Sequence, residues 1–348
     1  MSEDDPDSDE WRSKLARTIV AILMFTSLVF NPRRVVDNVV GYASLLSLWP
    51  LTVGPMVYFL YRYPSKAMAA YVLLFFMTHR KDAKHNGSQV SKWLGNGWMA
   101  KSIARLTEAN LHTPHLARMQ ELAKSGTKFV FGVHPHSIFG ISTLIHFALN
   151  RLVTKDIFGP NIDFRVLTIN INLIIPLLRE YLMSRGFVCA DARTFKSLID
   201  RGISPVIVPG GAEETLYTYP GSADLVASKR LGFVREALLN GAWLIPVYCF
   251  GDNEKVPVFT SKRIRYWQRV IQKCLTFATP FVIPIFKSGP IHMVIGEPLP
   301  PPTEGDLGPR TAAYHAQYLQ ALAHMFKNYV SEYGTTAEKA GKGIRFVK

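Results

Sequence analysis

The 348-residue chain carries 40 Lys and Arg against 26 Asp and Glu, a net charge of +14, with 48% hydrophobic residues and a mean hydropathy of +0.09. That length allows one large domain with an extension, or two modest ones, and that hydropathy points to one membrane region on a globular body. The basic balance suits an anionic lipid surface or a phosphate-bearing substrate. It does not point to nucleic acid, because zinc-finger spacing and an RNA-binding aromatic signature are both missing.

Residues 1–34 read as an acidic tail followed by an interfacial helix. Glu3, Asp4, Asp5, Asp7, Asp9 and Glu10 open the chain and leave no basic start of the kind a secretory signal needs. Thr18–Phe30 is apolar, but about 13 residues make a helix of roughly 20 Å, short of a ~30 Å hydrocarbon core. Residues 35–78 read as a hydrophobic hairpin embedded in a membrane. Val39–Tyr61 holds no charge and is long enough to cross, although Pro50, Gly54 and Pro55 can bend it back. Arg62–Lys66 is a polar break before the shorter apolar stretch Ala67–Met77. His79–His85 is basic, which places the rest of the chain on the cytoplasmic side. Trp93 and Trp98 suit a headgroup level or ordinary packing.

Residues 79–335 read as an α/β catalytic domain, with a basic tail over 336–348. Strands are predicted at Phe129–Val133, Phe164–Ile169, Phe187–Ala190, Pro205–Val208, Leu244–Phe250 and His292–Ile295. Helical stretches alternate with them. Ser142–Leu152 and Leu173–Met183 come first. Arg193–Arg201 is next, N-capped by Asp191 and closed by Gly202. Leu231, Val234 and Leu238 form one apolar face. Tyr314, Tyr318, Leu322, Met325, Phe326 and Tyr329 form the apolar stripe of a long C-terminal helix. This alternation predicts a central, largely parallel sheet with helices on both faces, and ligands in such folds bind beyond the carboxyl ends of the strands. Leu275–Phe286 is a further apolar run, either core or a second membrane contact. Cys189, Cys249 and Cys274 lie in apolar settings with no disulfide or metal spacing, and read as buried free thiols.

Three strands end in chemistry. The first stops at His134-Pro135-His136-Ser137, where Pro135 removes a backbone donor and a shaped turn begins. The pair could ligate a metal, but nearby Asp or His ligands are missing. It could hydrogen-bond a turn. It could also supply a general base, since imidazole titrates near neutral pH. The fourth strand ends in Pro209-Gly210-Gly211-Ala212-Glu213-Glu214-Thr215. Its glycines allow close backbone approach and amide donation, and Glu213 or Glu214 could orient an imidazole or hold a hydroxyl. Asn172 is another candidate donor. The fifth ends in Gly251-Asp252-Asn253-Glu254. Lys229, Arg230 and Arg235 form a basic group that could meet phosphates. A serine-nucleophile elbow and a phosphate-binding loop are absent.

These motifs resemble the diacylglycerol acyltransferase 2 family, which includes monoacylglycerol and wax-alcohol acyltransferases. The resemblance rests on Phe131–His136, Pro176–Ser184, Gly210–Leu216, Lys229–Val234, Val247–Glu254 and Tyr314-His315, in that order. It implies a glycerolipid acyltransferase-like fold and an enzyme of the endoplasmic reticulum membrane and lipid droplets, with its catalytic domain cytoplasmic. It implies transfer of a fatty acyl group from acyl-CoA, a co-substrate, to the hydroxyl of diacylglycerol or a related neutral lipid, with no metal and no other cofactor. His134 and His136 would sit in the active site with Glu214 as partner. Asn172, Gly210, Gly211, Lys229, Arg230 and Arg235 would bind substrate. Membrane lipids are expected partners, and a homo-oligomer is compatible with the sequence. Ser137 stands where the family commonly has glycine, and Phe139 where wider glycerolipid acyltransferases place an Asp. The alternative acceptors are monoacylglycerol or a long-chain alcohol. A non-catalytic lipid-droplet protein is the reading from another class.

Overall fold

The computed structural model describes residues 83–87, 107–256 except 139, 150, 176 and 177, then 287 and 289–347, with isolated positions in 62–75 and 258–270. The helix expected over 18–30, the segment 39–61, most of 67–77, Trp93, Trp98, Cys274 and the run 275–286 lie outside the described residues. No helix among the described residues is long and apolar enough to cross a membrane.

Short β-rich apolar runs form the sheet. Its strands are β1 (Ala109–His112), β2 (Phe129–His134), β3 (Asp163–Thr168), β4 (Phe187–Cys189), β5 (Ile203–Ile207), β7 (Trp243–Phe250) and β8 (Ile291–Ile295). They lie in the order β1-β8-β7-β2-β5-β3-β4. Strands β7, β2, β5, β3 and β4 run parallel. The pair β1 and β8 is parallel within itself but meets β7 antiparallel. The six expected strands are all present within a residue or two of their predicted ends. Strand β1 is the addition. Its sequence Ala-Asn-Leu-His has no apolar run, and its pairing with β8 makes it a strand.

Side chains alternate across β2. Val130 faces one layer with Leu244, where the described helices are α6 (Ala192–Asp200), α8 (Gly232–Leu239) and α9 (Leu307–Tyr333). Phe129, Phe131 and Val133 face the other, packed by α2 (Leu116–Lys124), a short α3 (Ile141–Thr143) that widens into a π-turn over Leu144–Leu149, and α4 (Arg151–Phe158). Phe147 meets Phe164 edge-on at 5.1 Å between ring centres, a geometry that adds about 1 kcal/mol to the buried area. Helices therefore cover both faces, as expected. A short helix, α1 (Ala83–Asn86), packs on β4 and α6.

Several helix ends differ from the sequence reading. The Asp191 cap is present, accepting from the Thr194 amide at 2.7 Å. The expected Leu173–Met183 helix is a 3-10 turn (Asn170–Leu173) and then α5 (Leu178–Ser184), since Pro176 cannot continue a helix. The face Leu231-Val234-Leu238 is corrected: Leu231 precedes α8 and is 41% exposed, while Val234 and Leu238 are buried. All six residues of the C-terminal stripe lie on α9, packed into the core.

The basic stretch from residue 336 is folded onto the body as far as the described residues run. Helix α10 (Thr336–Lys339) opens with a capping box between Thr335 and Glu338. Strand β9 (Arg345–Phe346) then pairs parallel with β6 (Asp224–Leu225). Arg345 holds Asp224 through two nitrogens, at 2.8 and 2.6 Å. Glu338 is 3% exposed, and its carboxylate accepts the Gly251 amide at 3.2 Å. The folded body therefore continues through Phe346.

Candidate active site

Because β7, β2 and β5 are parallel neighbours, their carboxyl ends lie side by side. The turn after β2, the glycine loop after β5 and the Gly251 loop after β7 thus share one edge of the sheet. The topology therefore brings these three loops together.

His134 is the last residue of β2, in register with Tyr248, and fully buried. Its Nε2 lies 3.0 Å from the Tyr318 hydroxyl, which itself donates to the Gly132 carbonyl at 3.1 Å. A phenol has one proton to give, so His134 Nε2–H donates and Tyr318 accepts. His134 Nδ1 is then unprotonated, and it finds no hydrogen-bond partner among the described residues. Burial, with His315 nearby, pushes this imidazole down to about 3. Gly132 is required by the same contact: a Cβ there would fall 2.1 Å from the Tyr318 oxygen.

The peptide bond from His134 to Pro135 is cis, and Ser137 has φ of 48°. That is the left-handed region where glycine carries no penalty, which gives Ser137 at a glycine-favoured position a backbone reason. His136 is only partly buried. Its Nδ1 lies 3.1 Å from the Ser137 carbonyl. A carbonyl only accepts, so Nδ1 carries the proton and Nε2 holds the lone pair of the neutral ring. Burial lowers the pKa of this imidazole, and the bond to Ser137 opposes that.

Glu214 closes α7 (Gly211–Glu214) and is 1% exposed. One oxygen accepts the His136 amide and the other accepts the Val226 amide at 2.8 Å. The carboxylate therefore holds the backbone of the turn rather than an imidazole nitrogen. Burial raises its pKa to about 7, against the pull of the two amides and of Arg230. Gly210 leaves room for it, since a Cβ there would lie 2.1 Å from a Glu214 oxygen.

The other candidates are more dispersed. Gly211 N–H already donates to the Val208 carbonyl at 3.1 Å. Asn172 donates to Thr168 at 2.9 Å beyond the end of β3, with β5 between it and β2. Arg230 pairs with Glu213 at 2.8 Å, which fastens the basic loop beside the glycine loop. Lys229 and Arg235 are exposed near it, Arg235 lying 3.8 Å from Glu236.

Two site residues carried no such role in the sequence. Tyr318 read as one member of an apolar stripe, and only its hydroxyl, which needs a partner when buried, hinted at more. Asp252 stood within a noted loop. It is 2% exposed and accepts the Ser142 amide at 3.2 Å. Burial raises its pKa to about 6.

Among the described residues, one group has metal-ligand chemistry. The ligand atoms of His85, Cys189 and Asp191 lie within 4.8 Å of one another. They sit at the end of β4, away from the histidine turn, where His85 Nδ1 already shares a hydrogen bond with the Thr194 hydroxyl at 2.7 Å and lies 3.3 Å from an Asp191 oxygen. Cys189 and Cys249 are buried free thiols.

The model of the diacylglycerol acyltransferase family matches residues 57–340. The chain is 30% identical over 315 residues to diacylglycerol O-acyltransferase 2 of Mus musculus, covering 83% of this chain and 78% of that one. It is 28% identical over 310 residues to 2-acylglycerol O-acyltransferase 1 of Homo sapiens, covering 83% and 89%. A solved 1-acyl-sn-glycerophosphate acyltransferase from Thermotoga maritima superposes with a TM-score of 0.42 at 14% identity, covering 85% of this chain and 97% of that one.

Proposed function

The chain belongs to the diacylglycerol acyltransferase family, and from that premise we propose that it joins a fatty acyl group from acyl-CoA to the hydroxyl of diacylglycerol, with His136 as the base. The observation that carries the residue assignment is the tautomer of His136. Its Nδ1–H is committed to Ser137, so Nε2 is the basic atom, on a partly exposed ring where three strand ends meet. The acceptor hydroxyl gives its proton to Nε2 as its oxygen attacks the thioester carbonyl. The tetrahedral intermediate collapses by breaking the C–S bond, and the proton on Nε2 passes to the departing thiolate. Thiols ionise at about pH 8.5, so this leaving group needs little acid help. Lys229 and Arg235 suit the phosphates of CoA.

The same reading places the enzyme on the endoplasmic reticulum membrane, with its catalytic body on the cytoplasmic side, and on lipid droplets. The long apolar segment 39–61 and the basic residues 79–85 after the hairpin support this. A second acceptor, monoacylglycerol, is favoured by the human relative's name and its equal coverage of this chain.

The test is an acceptor panel. Membranes containing the full chain receive labelled acyl-CoA with diacylglycerol, monoacylglycerol or a long-chain alcohol. Labelled triacylglycerol as the fastest-formed product is expected. Faster ester formation on another acceptor replaces diacylglycerol in the assignment. No ester with any acceptor, from protein intact in the membrane, overturns acyl transfer itself.

A further inference from the structure

Beneath the turn, on the side formed by β7 rather than by the glycine loop, lies a compact buried polar corner. Three buried polar atoms there have no hydrogen-bond partner among the described residues: Asp252 Oδ1, Ser137 Oγ and Ser142 Oγ. Buried polar atoms are nearly always paired, so a cluster of exceptions needs a reason. The Ser137 and Ser142 hydroxyls face the Asp252 carboxylate, whose second oxygen takes the Ser142 amide at the start of α3. Asp252 therefore touches both ends of the segment 137–142 that leads out of the turn.

Ser137 is the link that matters. Its carbonyl accepts His136 Nδ1–H, and its own backbone is held in the left-handed region, which a residue with a Cβ adopts only when its surroundings hold it there. Loss of the carboxylate frees Ser137 to relax toward an ordinary φ. Its carbonyl then rotates away from Nδ1, and the ring loses both its tautomer and its aim.

We propose that Asp252 is a positioning residue for His136, acting through Ser137. This rests on His136 being the base. Asp252 makes no contact with substrate in this scheme; it fixes which nitrogen carries the proton and where the lone pair points. Asp252 itself is held from behind. Lys255 lies near enough to favour its charged form and is anchored to the Gly289 carbonyl at 2.6 Å, and Glu338 fixes the preceding Gly251 amide.

The experiment compares Asp252→Asn, Ser137→Ala, the double variant and His136→Ala in the acyl-transfer assay, with thermal denaturation of each. Misplacing a catalytic group by about 1 Å costs roughly 10²-fold. Asp252→Asn is therefore expected to lose about 10- to 100-fold in kcat with KM for acyl-CoA within about twofold. The double variant is expected to be no slower than Asp252→Asn alone, because both act on one path. A kcat for Asp252→Asn within twofold of wild type overturns the proposal, as does a double variant in which the two losses multiply. If Asp252→Asn does not fold, Ser137→Ala decides, and an unchanged kcat there overturns it. His136→Ala separates the two readings. If it is inactive while Asp252→Asn is unimpaired, only the positioning role fails. If it turns over normally, the base assignment fails with it.

Discussion

His134 and His136 are two residues apart and end in different worlds. One is the last rung of β2, sealed under Tyr318. The other stands just past the sheet on a turn held at its backbone by Glu214. Identical side chains at period-two spacing would share a face if the strand ran on. The turn through the left-handed Ser137 ends that equivalence. The sealed ring is a donor to a tyrosine and stays neutral, and the outer ring, only partly buried, keeps its Nε2 lone pair. On the proposed function, position relative to the end of a strand, not residue type, separates a supporting imidazole from a reacting one.

The largest expected effect tests that division directly. His136→Ala should lower kcat about 10²- to 10⁴-fold with little change in melting temperature. His134→Ala should chiefly lower stability, by about 1–3 kcal/mol from the lost hydrogen bond and the cavity left beside Tyr318. Kinetics and thermal unfolding on both variants would break the comparison if the two patterns were exchanged. Glu214→Ala comes next. It strips two buried amides of their acceptor, so a stability loss of about 3 kcal/mol is expected, together with slower turnover as the turn loosens. A variant that unfolds like wild type would contradict the clamp.

Tyr318→Phe is milder. It removes the acceptor for His134 while keeping the ring, so about 1 kcal/mol is expected and only a few-fold change in kcat. The smallest effect is the most specific. Burial lowers the pKa of His136 below its ordinary value of 6.5, so the neutral base persists as the medium is acidified. The acid limb of the kcat/KM profile should therefore lie below pH 6.5 and stay there in Tyr318→Phe. A limb above 6.5 would deny the neutral, half-buried base.

The sheet was readable because each of its main strands is a short apolar run closed by Gly, Pro or a polar cluster. Leu244–Phe250 and Phe129–Val133 are examples. Strand β1 was not, since Ala109–His112 becomes a strand only through its partner β8. The antiparallel approach of β8 was equally hidden, because it depends on the path of residues between 256 and 291. The histidine turn was legible as a strand that stops at proline, and Glu214 as an acid on the neighbouring loop. Its target was not: one amide belongs to the turn and the other to Val226, brought in by the small β6–β9 sheet. Asp252 and Tyr318 take their meaning from neighbours 110 and 184 residues away in sequence, and no local pattern marks them.

The fold-back of the C-terminal segment has a consequence for the chain's own manufacture. Glu338 fastens the loop that carries Asp252, and Arg345 fastens the strand that leads to Val226. A ribosome delivers the histidine turn before these fasteners. At about 5–20 residues per second, the interval is on the order of tens of seconds. Through that interval the nascent chain holds its imidazoles and its future buried carboxylates without the straps that set them.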